Sequence, residues 1–202
     1  VLSSQGTDVT VIRATHTAED GFDVVISAGE APKLWEALMM AGARPVGFGA
    51  LDILRVEAGV PRYGVDMNET SVVLEATLDE AVSYTKGCYI GQEIIARIHW
   101  RGHVAKRLTG LILDDNKATH VPRGSKIKTP EGKEIGRVTS STFSPRLKRG
   151  VALGYVKYDY LAPGTEVIIA TEDGEQAARV AELPMVRGSW LTESNGAEGE
   201  TA

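Results

Sequence analysis

The hydrophobic residues of the 202-residue chain change their spacing about halfway along it. In the first half, segments 8–13 and 22–27 are alternating or rich in β-branched residues, which predicts two strands. Segments 31–40 and 47–59 place apolar residues at helical intervals and predict helices, with a further helical turn or two over 77–84. Strands interspersed with helices in this way indicate an α+β layer.

From about Leu108 onwards the apolar runs become short and are separated by Gly, Pro and Asp turns. These runs cover 108–113, 126–128, 135–140, 151–156, 166–170 and 177–181. Several short strands at this spacing predict a small antiparallel barrel or sandwich. We therefore divide the chain into a first domain over 1–107, a barrel over 108–190 and a tail over 191–202, which its acidic, polar composition predicts to be disordered.

The stretch 86–97, which contains the chain's only cysteine, lies at the junction of these two halves. Its sequence is Lys86, Gly87, Cys88, Tyr89, Ile90, Gly91, Gln92, Glu93, Ile94, Ile95, Ala96 and Arg97. The isoleucines continue to Ile98 at helical intervals and predict one apolar helix face, and Glu93 and Arg97 are spaced to pair on another face. Cys88 would then lie just before a helix N-terminus, where a thiolate is favoured. The competing interpretation is a small buried thiol, since free cysteines are commonly buried.

Composition and charge exclude several classes of protein. A net charge of −5 argues against general nucleic-acid binding, and no apolar run approaches the length of a membrane span. A single cysteine excludes an intramolecular disulfide and a Cys-rich metal site, so we expect no metal site and a reducing compartment. That compartment is the cytoplasm, or an organellar matrix if the source is eukaryotic. The chain starts at Val1 without Met, and we expect it to be part of a longer protein.

Basic residues are concentrated in segment 86–107, which we call the basic strip. The segment contains five basic residues and one acidic residue, Glu93, which gives it a local charge of +4 on a chain of net charge −5. The basic residues are Lys86, Arg97, Arg101, Lys106 and Arg107. Such a strip on an acidic protein indicates an anionic ligand or partner. A solvated helix face with nothing bound is the alternative.

Several segments together resemble the aminomethyltransferase (glycine-cleavage T-protein) superfamily. They are 47–59, Leu74-Glu75-Ala76 and Thr139-Ser140-Ser141-Thr142-Phe143-Ser144-Pro145. The stretch from Lys86 to Glu93, continuing through Arg97, Arg101-Gly102 and Arg107-Leu108, resembles more closely the signature of the YgfZ branch. Members of that branch are folate-binding proteins that support iron–sulfur cluster assembly or repair.

This resemblance implies a fold and a cofactor. Family members wrap α+β segments around a folate site and append a C-terminal barrel, so the chain is expected to carry the second half of the folate-binding fold followed by the barrel. The cofactor implied is tetrahydrofolate or a one-carbon derivative. Family chains extend in front of Val1, and that front half supplies the aspartate that assists methylene transfer in true aminomethyltransferases.

The resemblance also implies site residues. Glu19 matches the glutamate that grips the pterin ring, and a carboxylate suits the amino-pyrimidine edge because it accepts two parallel hydrogen bonds. Arg55 and Trp190 are further candidate folate contacts, although Arg55 also reads as a structural residue that satisfies a buried carbonyl or carboxylate. Leu51 stands where T-proteins have an arginine, a departure that favours the YgfZ branch.

Three functions follow from this resemblance. The first is a tetrahydrofolate-binding protein for iron–sulfur cluster assembly or repair, in which Cys88 is a thiolate nucleophile, a redox-sensitive group or a transient cluster contact. The second is a folate-binding module without catalysis, which docks iron–sulfur proteins or assembly factors through the basic strip. The third is a genuine aminomethyltransferase of the glycine cleavage system.

Overall fold

The computed structural model describes residues 2–4, 7–114, 121–172 and 174–189. The chain divides into two compact units, each treated by itself below: a first unit of Val1–Arg55 with Arg187–Ala202, and a second unit of Val56–Val186. Trp190 and the predicted tail over 191–202 lie outside the described residues.

The first unit contains a three-stranded antiparallel sheet of β1 (Leu2–Ser4), β2 (Thr7–Arg13) and β3 (Phe22–Val25), in that order. Helix α1 follows at Ala31–Met40, with a proline in its first turn, and helix α2 begins at Phe48 and ends at Ala58. The two predicted strands and both helices are present. Strand β1 is an addition, because three residues are too few to show an alternating pattern.

Apolar side chains of the first unit are widely exposed. Phe22, Trp35, Met40 and Phe48 are 62%, 58%, 90% and 88% exposed, respectively. Among residues 9–55 and 187–189 of this unit, Ala18 and Arg55 are the only buried ones. The described sheet and helices therefore do not enclose a hydrophobic core of their own, although their sequences carry the apolar faces for one.

The second unit is built around a closed six-stranded antiparallel barrel in the order β4-β7-β6-β5-β8-β9. Its strands are β4 (Lys106–Leu113), β5 (Lys126–Lys128), β6 (Glu134–Ser144), β7 (Arg149–Lys157), β8 (Glu166–Thr171) and β9 (Gly174–Ala181). Every predicted run in this half is a strand, and closure leaves the sheet without an edge. The predicted fold class is therefore confirmed, while the domain limits proposed at 107 and 190 stay a prediction.

Fully buried aliphatic side chains fill the barrel. They include Leu111, Ile127, Ile135, Val156 and Ile169. Burial of a side chain of this kind stabilises a fold by about 1.5–3 kcal/mol relative to exposure. A second cluster packs Val56, from the last turn of α2, against Leu108, Val151 and Leu153 of the barrel strands. The end of α2 is thereby anchored to the barrel.

Two backbones approach each other unusually closely at Gly136. A Cβ atom at this position would lie 2.1 Å from the carbonyl oxygen of Tyr155 on the neighbouring strand. Gly136 is the first residue of β6 that pairs with β7, opposite Val156, and the register shifts between Val138 and Ser140. Glycine is required here because no side chain fits between the strands.

Two shorter elements precede the barrel in the second unit. The helical segment predicted over 77–84 is reduced to a 3-10 turn at Asp79–Ala81, and helix α3 spans Gln92–Arg101. Helix α3 was predicted with an apolar face, yet none of its residues is buried, and Ile94 is 58% exposed. No helix in the described part of the chain is long and apolar enough to cross a membrane.

Candidate functional site

Glu19 lies in the loop that connects β2 to β3. The loop is closed by a hydrogen bond from the amide of Ala14 to the carbonyl of Gly21, at 2.9 Å. Ala18 adopts a left-handed conformation with φ of 60° and is itself buried. A non-glycine residue in this conformation is uncommon and is maintained by its surroundings. The turn leaves the Glu19 side chain exposed at the surface.

Ser189 holds the carboxylate of Glu19 in place. The backbone amide of Ser189 donates to Oε2 of Glu19 at 2.9 Å, and its hydroxyl donates to the same oxygen at 2.6 Å. The hydroxyl in turn accepts a hydrogen bond from the amide of Asp20 at 2.9 Å. We call this set of three bonds the Ser189–Glu19 clasp. It gives an exposed carboxylate a defined orientation.

Gly188 makes the clasp possible. A Cβ atom at Gly188 would lie 2.1 Å from the carbonyl oxygen of Ala18 and 3.0 Å from the carboxyl carbon of Glu19. Only glycine permits the backbone around 188 to lie against the loop at this distance. Sequence reasoning missed both Gly188 and Ser189, since neither belongs to a motif near Glu19.

An exposed ion pair and an exposed histidine–carboxylate contact flank the loop. Arg13 contacts Asp20 at 2.8 Å, and His16 contacts Asp23 at 2.9 Å. The hydrogen bond from Arg13 is the main cause that lowers the pKa of Asp20 below its ordinary value. Exposed pairs of this kind contribute little to stability, so we treat them as setting the local charge.

Arg55 lies on α2 with a nearly buried side chain, only 7% exposed. Its Nε donates to Oδ1 of Asp52 at 2.7 Å, one turn earlier on the same helix. A buried guanidinium of this kind fixes its carboxylate partner. The prediction that Arg55 contacts folate remains a prediction, and the bond to Asp52 agrees with its structural reading as a partner for a carboxylate.

The motif over 139–145 is a structural anchor. Ser144 donates to the buried carboxylate of Glu57, and Ser141 donates to the carbonyl of Val121 at 2.6 Å. Glu57 also accepts a backbone hydrogen bond from Val186 at 3.0 Å. The resemblance that marked this motif therefore points to residues that tie segments of the second unit together.

Asp66 is the other carboxylate that the motif binds. It is 3% exposed, and its Oδ1 accepts hydrogen bonds from Thr139 at 2.5 Å and Ser140 at 2.6 Å. Its Oδ2 accepts from the amide of Arg62 at 2.9 Å. Each of these bonds replaces one that the carboxylate loses to water when it is buried.

Cys88 is exposed, so the interpretation as a buried thiol is wrong. Helix α3 begins after Gly91, whose φ of 86° is left-handed. The two cations that the sequence places near the thiol have other partners. Lys86 lies 4.7 Å above the ring of Tyr89, and Arg97 pairs with Glu93 at 2.7 Å as its spacing predicted.

The basic strip is largely paired with carboxylates. Besides the pair of Arg97, Arg107 contacts Asp79 at 2.9 Å and Lys106 contacts Glu75 at 3.9 Å. Within the described residues no ion pair involves Arg101, which is exposed at the end of α3. The net positive field of the strip is therefore smaller than its sequence suggests.

The exposed, oriented carboxylate of Glu19 is the feature that fits a folate. Its clasp presents a fixed acceptor, and an amino-pyrimidine edge offers adjacent N–H donors. Among the described residues no group of three or more His, Cys, Asp or Glu side chains is placed to hold a metal ion. The fixed orientation of the Glu19 carboxylate suits recognition of a hydrogen-bonding heterocycle.

Comparison with known families defines the class of protein. Residues 2–86 match the GCVT N-terminal domain, and residues 106–187 match the glycine cleavage T-protein C-terminal barrel domain. The second match contains all six barrel strands, and the first contains the loop of Glu19 and helix α2. Together the two matches cover most of the chain, in the order that the α+β segment and the barrel follow.

Individual relatives are similar over nearly all of this chain. An aminomethyltransferase of Halothermothrix orenii is 34% identical over 186 residues, which are 90% of this chain and 51% of that protein. One of Symbiobacterium thermophilum is 39% identical over 180 residues, 87% and 47% of the two chains. The crystal structure of the glycine cleavage system aminomethyltransferase T of Bartonella henselae superimposes with a TM-score of 0.78 at 30% identity, over 89% of this chain and 50% of that one.

These matches place the chain in the aminomethyltransferase (glycine-cleavage T-protein) superfamily, to which it belongs. It spans about half the length of the relatives named above. Those relatives are called aminomethyltransferases, and nothing in these comparisons supports the YgfZ subtype or a role with iron–sulfur clusters. The weight given to Leu51 and to the cysteine motif thus led the sequence interpretation toward a subtype without support.

Proposed function

We propose that this chain forms the second half of the tetrahydrofolate site of an aminomethyltransferase of the glycine cleavage type. The observation that carries the proposal is the Ser189–Glu19 clasp, which presents an exposed carboxylate at the position that resembles the pterin-binding glutamate. The names of the relatives and the solved structure support the same activity. They also favour it over the iron–sulfur function.

Tetrahydrofolate, when bound, would supply the two nitrogens that take up the methylene of a lipoyl-bound aminomethyl group, with release of ammonia and of the lipoyl sulfur as a free thiol. In this proposal Glu19 accepts hydrogen bonds from the amino-pyrimidine edge and fixes the pterin. Arg55 orients Asp52 through their 2.7 Å bond on helix α2. Trp190 remains a proposed contact of the folate tail.

None of the described carboxylates is assigned to the transfer step itself. Glu57 and Asp66 are buried in hydrogen bonds with the 139–144 hydroxyls and serve the fold. In this proposal the catalytic aspartate that the family resemblance implies is not supplied by the described residues of this chain. We accordingly assign this chain to binding and orientation of the cofactor, and the proposed boundary between its two domains stays at 107.

Calorimetric titration with tetrahydrofolate tests this function. The unmodified chain should bind, and Glu19→Gln should weaken binding at least tenfold, about 1.4 kcal/mol, because the amide removes the negative charge and replaces one acceptor oxygen by an N–H donor. Glu36→Gln, which changes an exposed carboxylate on α1, is the matched control and should bind as the unmodified chain does. Absence of binding, or equal affinities for all three proteins, would overturn the proposal.

A second candidate function is the YgfZ-like one, favoured by the cysteine motif over 86–97 and by the exposure of Cys88. Here the thiol would act beside the bound folate, and Arg101 would contribute to docking of an iron–sulfur protein. Cys88→Ser separates the two candidates. Under the leading proposal this variant binds tetrahydrofolate with the affinity of the unmodified chain and leaves the activation of an iron–sulfur enzyme unchanged. Under the second, it abolishes activation of an iron–sulfur enzyme.

A further inference from the structure

We infer that Ser189 is a positioning residue for the pterin-binding carboxylate, so that residues 187–189 form part of the folate site. This inference rests on the proposed function of Glu19. It assigns a site role to a segment that follows the barrel in the sequence. The motifs recognised in the sequence contain neither Gly188 nor Ser189.

The geometry of the clasp carries the inference. Both donors of Ser189 reach the same oxygen, Oε2 of Glu19, at 2.9 Å and 2.6 Å. Two donors on one carboxylate oxygen restrict rotation of the carboxyl group, and a side chain on an exposed loop otherwise samples several rotamers. Ser189 therefore lowers the entropy that Glu19 would lose when it binds a planar heterocycle.

The Ser189 hydroxyl is itself held in place. It accepts a hydrogen bond from the amide of Asp20 while it donates to Glu19, so the hydroxyl proton is oriented toward Oε2 of Glu19. The close approach of Gly188 to the carbonyl of Ala18 keeps the segment against the loop. The backbone of Gly188 and the side chain of Ser189 together thus fix the position of the Glu19 carboxylate.

Binding measurements on the whole chain distinguish a positioning role from a general loss of structure. The probe is 5-formyltetrahydrofolate, titrated against the unmodified chain, Ser189→Ala, Ser189→Thr and the control Ser27→Ala, which alters an exposed serine of the same unit. We expect Ser189→Ala to weaken binding about five- to tenfold, while Ser189→Thr, which keeps the hydroxyl, binds within about twofold of the unmodified chain. Ser27→Ala should have no effect.

A double-mutant cycle with Glu19→Ala provides the decisive comparison. If Ser189 acts through Glu19, Ser189→Ala has no further effect on affinity once Glu19 is removed. An equal loss with and without Glu19 would overturn the inference, as would unchanged binding by Ser189→Ala.

Nuclear magnetic resonance separates failure of the inference from failure of the proposed function. The amide proton of Ser189 should move upfield in Glu19→Ala, because it loses a charged acceptor at 2.9 Å. If the unmodified chain does not bind the folate, the proposed function fails, and the Ser189 shift still reports whether the clasp exists. An unchanged shift would refute the clasp whatever the outcome of the titrations.

Discussion

The hydroxyl of Ser144 donates a hydrogen bond to the carboxylate of Glu57, although the two residues are 87 positions apart in the sequence. Glu57 lies in the last turn of α2, and Ser144 ends strand β6. Both are buried, at 5% and 0% exposure. The bond therefore fixes the end of the helix to the barrel at a site that water does not reach.

Removal of the Ser144 hydroxyl should destabilise the second unit. Ser144→Ala leaves a buried carboxylate without this donor and also removes the acceptor of the Leu147 amide, at 2.9 Å. Hydrogen bonds to charged groups contribute about 1.5–3 kcal/mol, and we expect a loss of that size in the free energy of unfolding. Urea denaturation followed by circular dichroism measures it.

Ser125→Ala is the control for this experiment. Its hydroxyl donates to the carbonyl of Pro122 at 2.7 Å in an exposed turn, where water can replace it. The loss should stay below about 1 kcal/mol. A loss at Ser144 no larger than the loss at Ser125 would contradict the structural role of the Glu57 bond.

Asp66 should be equally sensitive to loss of its charge. In Asp66→Asn, the new NH2 group either opposes the Arg62 amide, which can only donate, or lies at the Thr139 and Ser140 hydroxyls, whose protons then lose Asp66 as their acceptor. A buried donor without an acceptor destabilises a fold by about 1–3 kcal/mol. Asp159→Asn, at an exposed position, should leave the urea midpoint unchanged. Equal midpoints for the two variants would show that the three bonds do not stabilise the fold.

Gly136 should not tolerate a methyl group. Gly136→Ala places a Cβ atom 2.1 Å from the Tyr155 carbonyl oxygen in paired strands, which can separate only by breaking their hydrogen bonds. Overpacking of this kind destabilises a protein by about 1–3 kcal/mol. Gly49→Ala is the contrasting variant, because its Cβ meets open space on α2 and should be neutral or stabilising by up to about 1 kcal/mol. Thermal unfolding of both variants tests the difference in sign.

Alkaline pH should weaken the second unit through Tyr155. Burial, followed by the negative charges of Glu75 and Asp66, raises the pKa of this phenol above its ordinary value of 10.0. The folded state thus keeps the proton after the unfolded state has released it. The contribution of the protonated Tyr155 phenol to the free energy of unfolding is therefore fully present below about pH 10 and is lost as the pH rises beyond it. Tyr155→Phe should have a shallower loss of stability between pH 9 and 11, about the range of that titration. A slope equal to that of the unmodified chain would exclude Tyr155 as the cause.

Cys88 should react completely in the native state. Its exposure predicts stoichiometric labelling by a chromogenic disulfide reagent without denaturant, one thiol per chain because the sequence has a single cysteine. Cys88→Ser should give no colour. A thiol that reacts only after addition of urea would contradict the exposed position and remove the second candidate function.

The barrel was predictable because its turns carry strong local signals. Gly, Pro and Asp residues separate the apolar runs, and these runs coincide with the observed strands. Strand β6 extends to Ser144, beyond the predicted end at 140, since Ser141 and Thr142 carry no apolar alternation. The hydroxyls of Ser141 and Ser144 in this part of the strand instead bind acceptors from other segments.

The candidate site was predictable only in part. Glu19 was found through a family motif. Its partner Ser189 lies 170 positions away, and no local sequence pattern around Glu19 indicates that the two residues meet. Asp66 was overlooked because its neighbours, which include Gly64 and Asn68, indicate an irregular loop. Burial of a carboxylate depends on donors from distant strands, and no local pattern records it.

The long separation between the buried carboxylates and their partners has a consequence during synthesis. At about 5–20 residues per second, a ribosome needs roughly 4–17 s to proceed from Glu57 to Ser144, whose hydroxyl lies 87 positions later. For that interval the carboxylates of Glu57 and Asp66 stay hydrated on an incomplete chain. Their burial becomes favourable only when β6 has emerged, so the anchoring of α2 to the barrel is a late event in the life of the nascent protein.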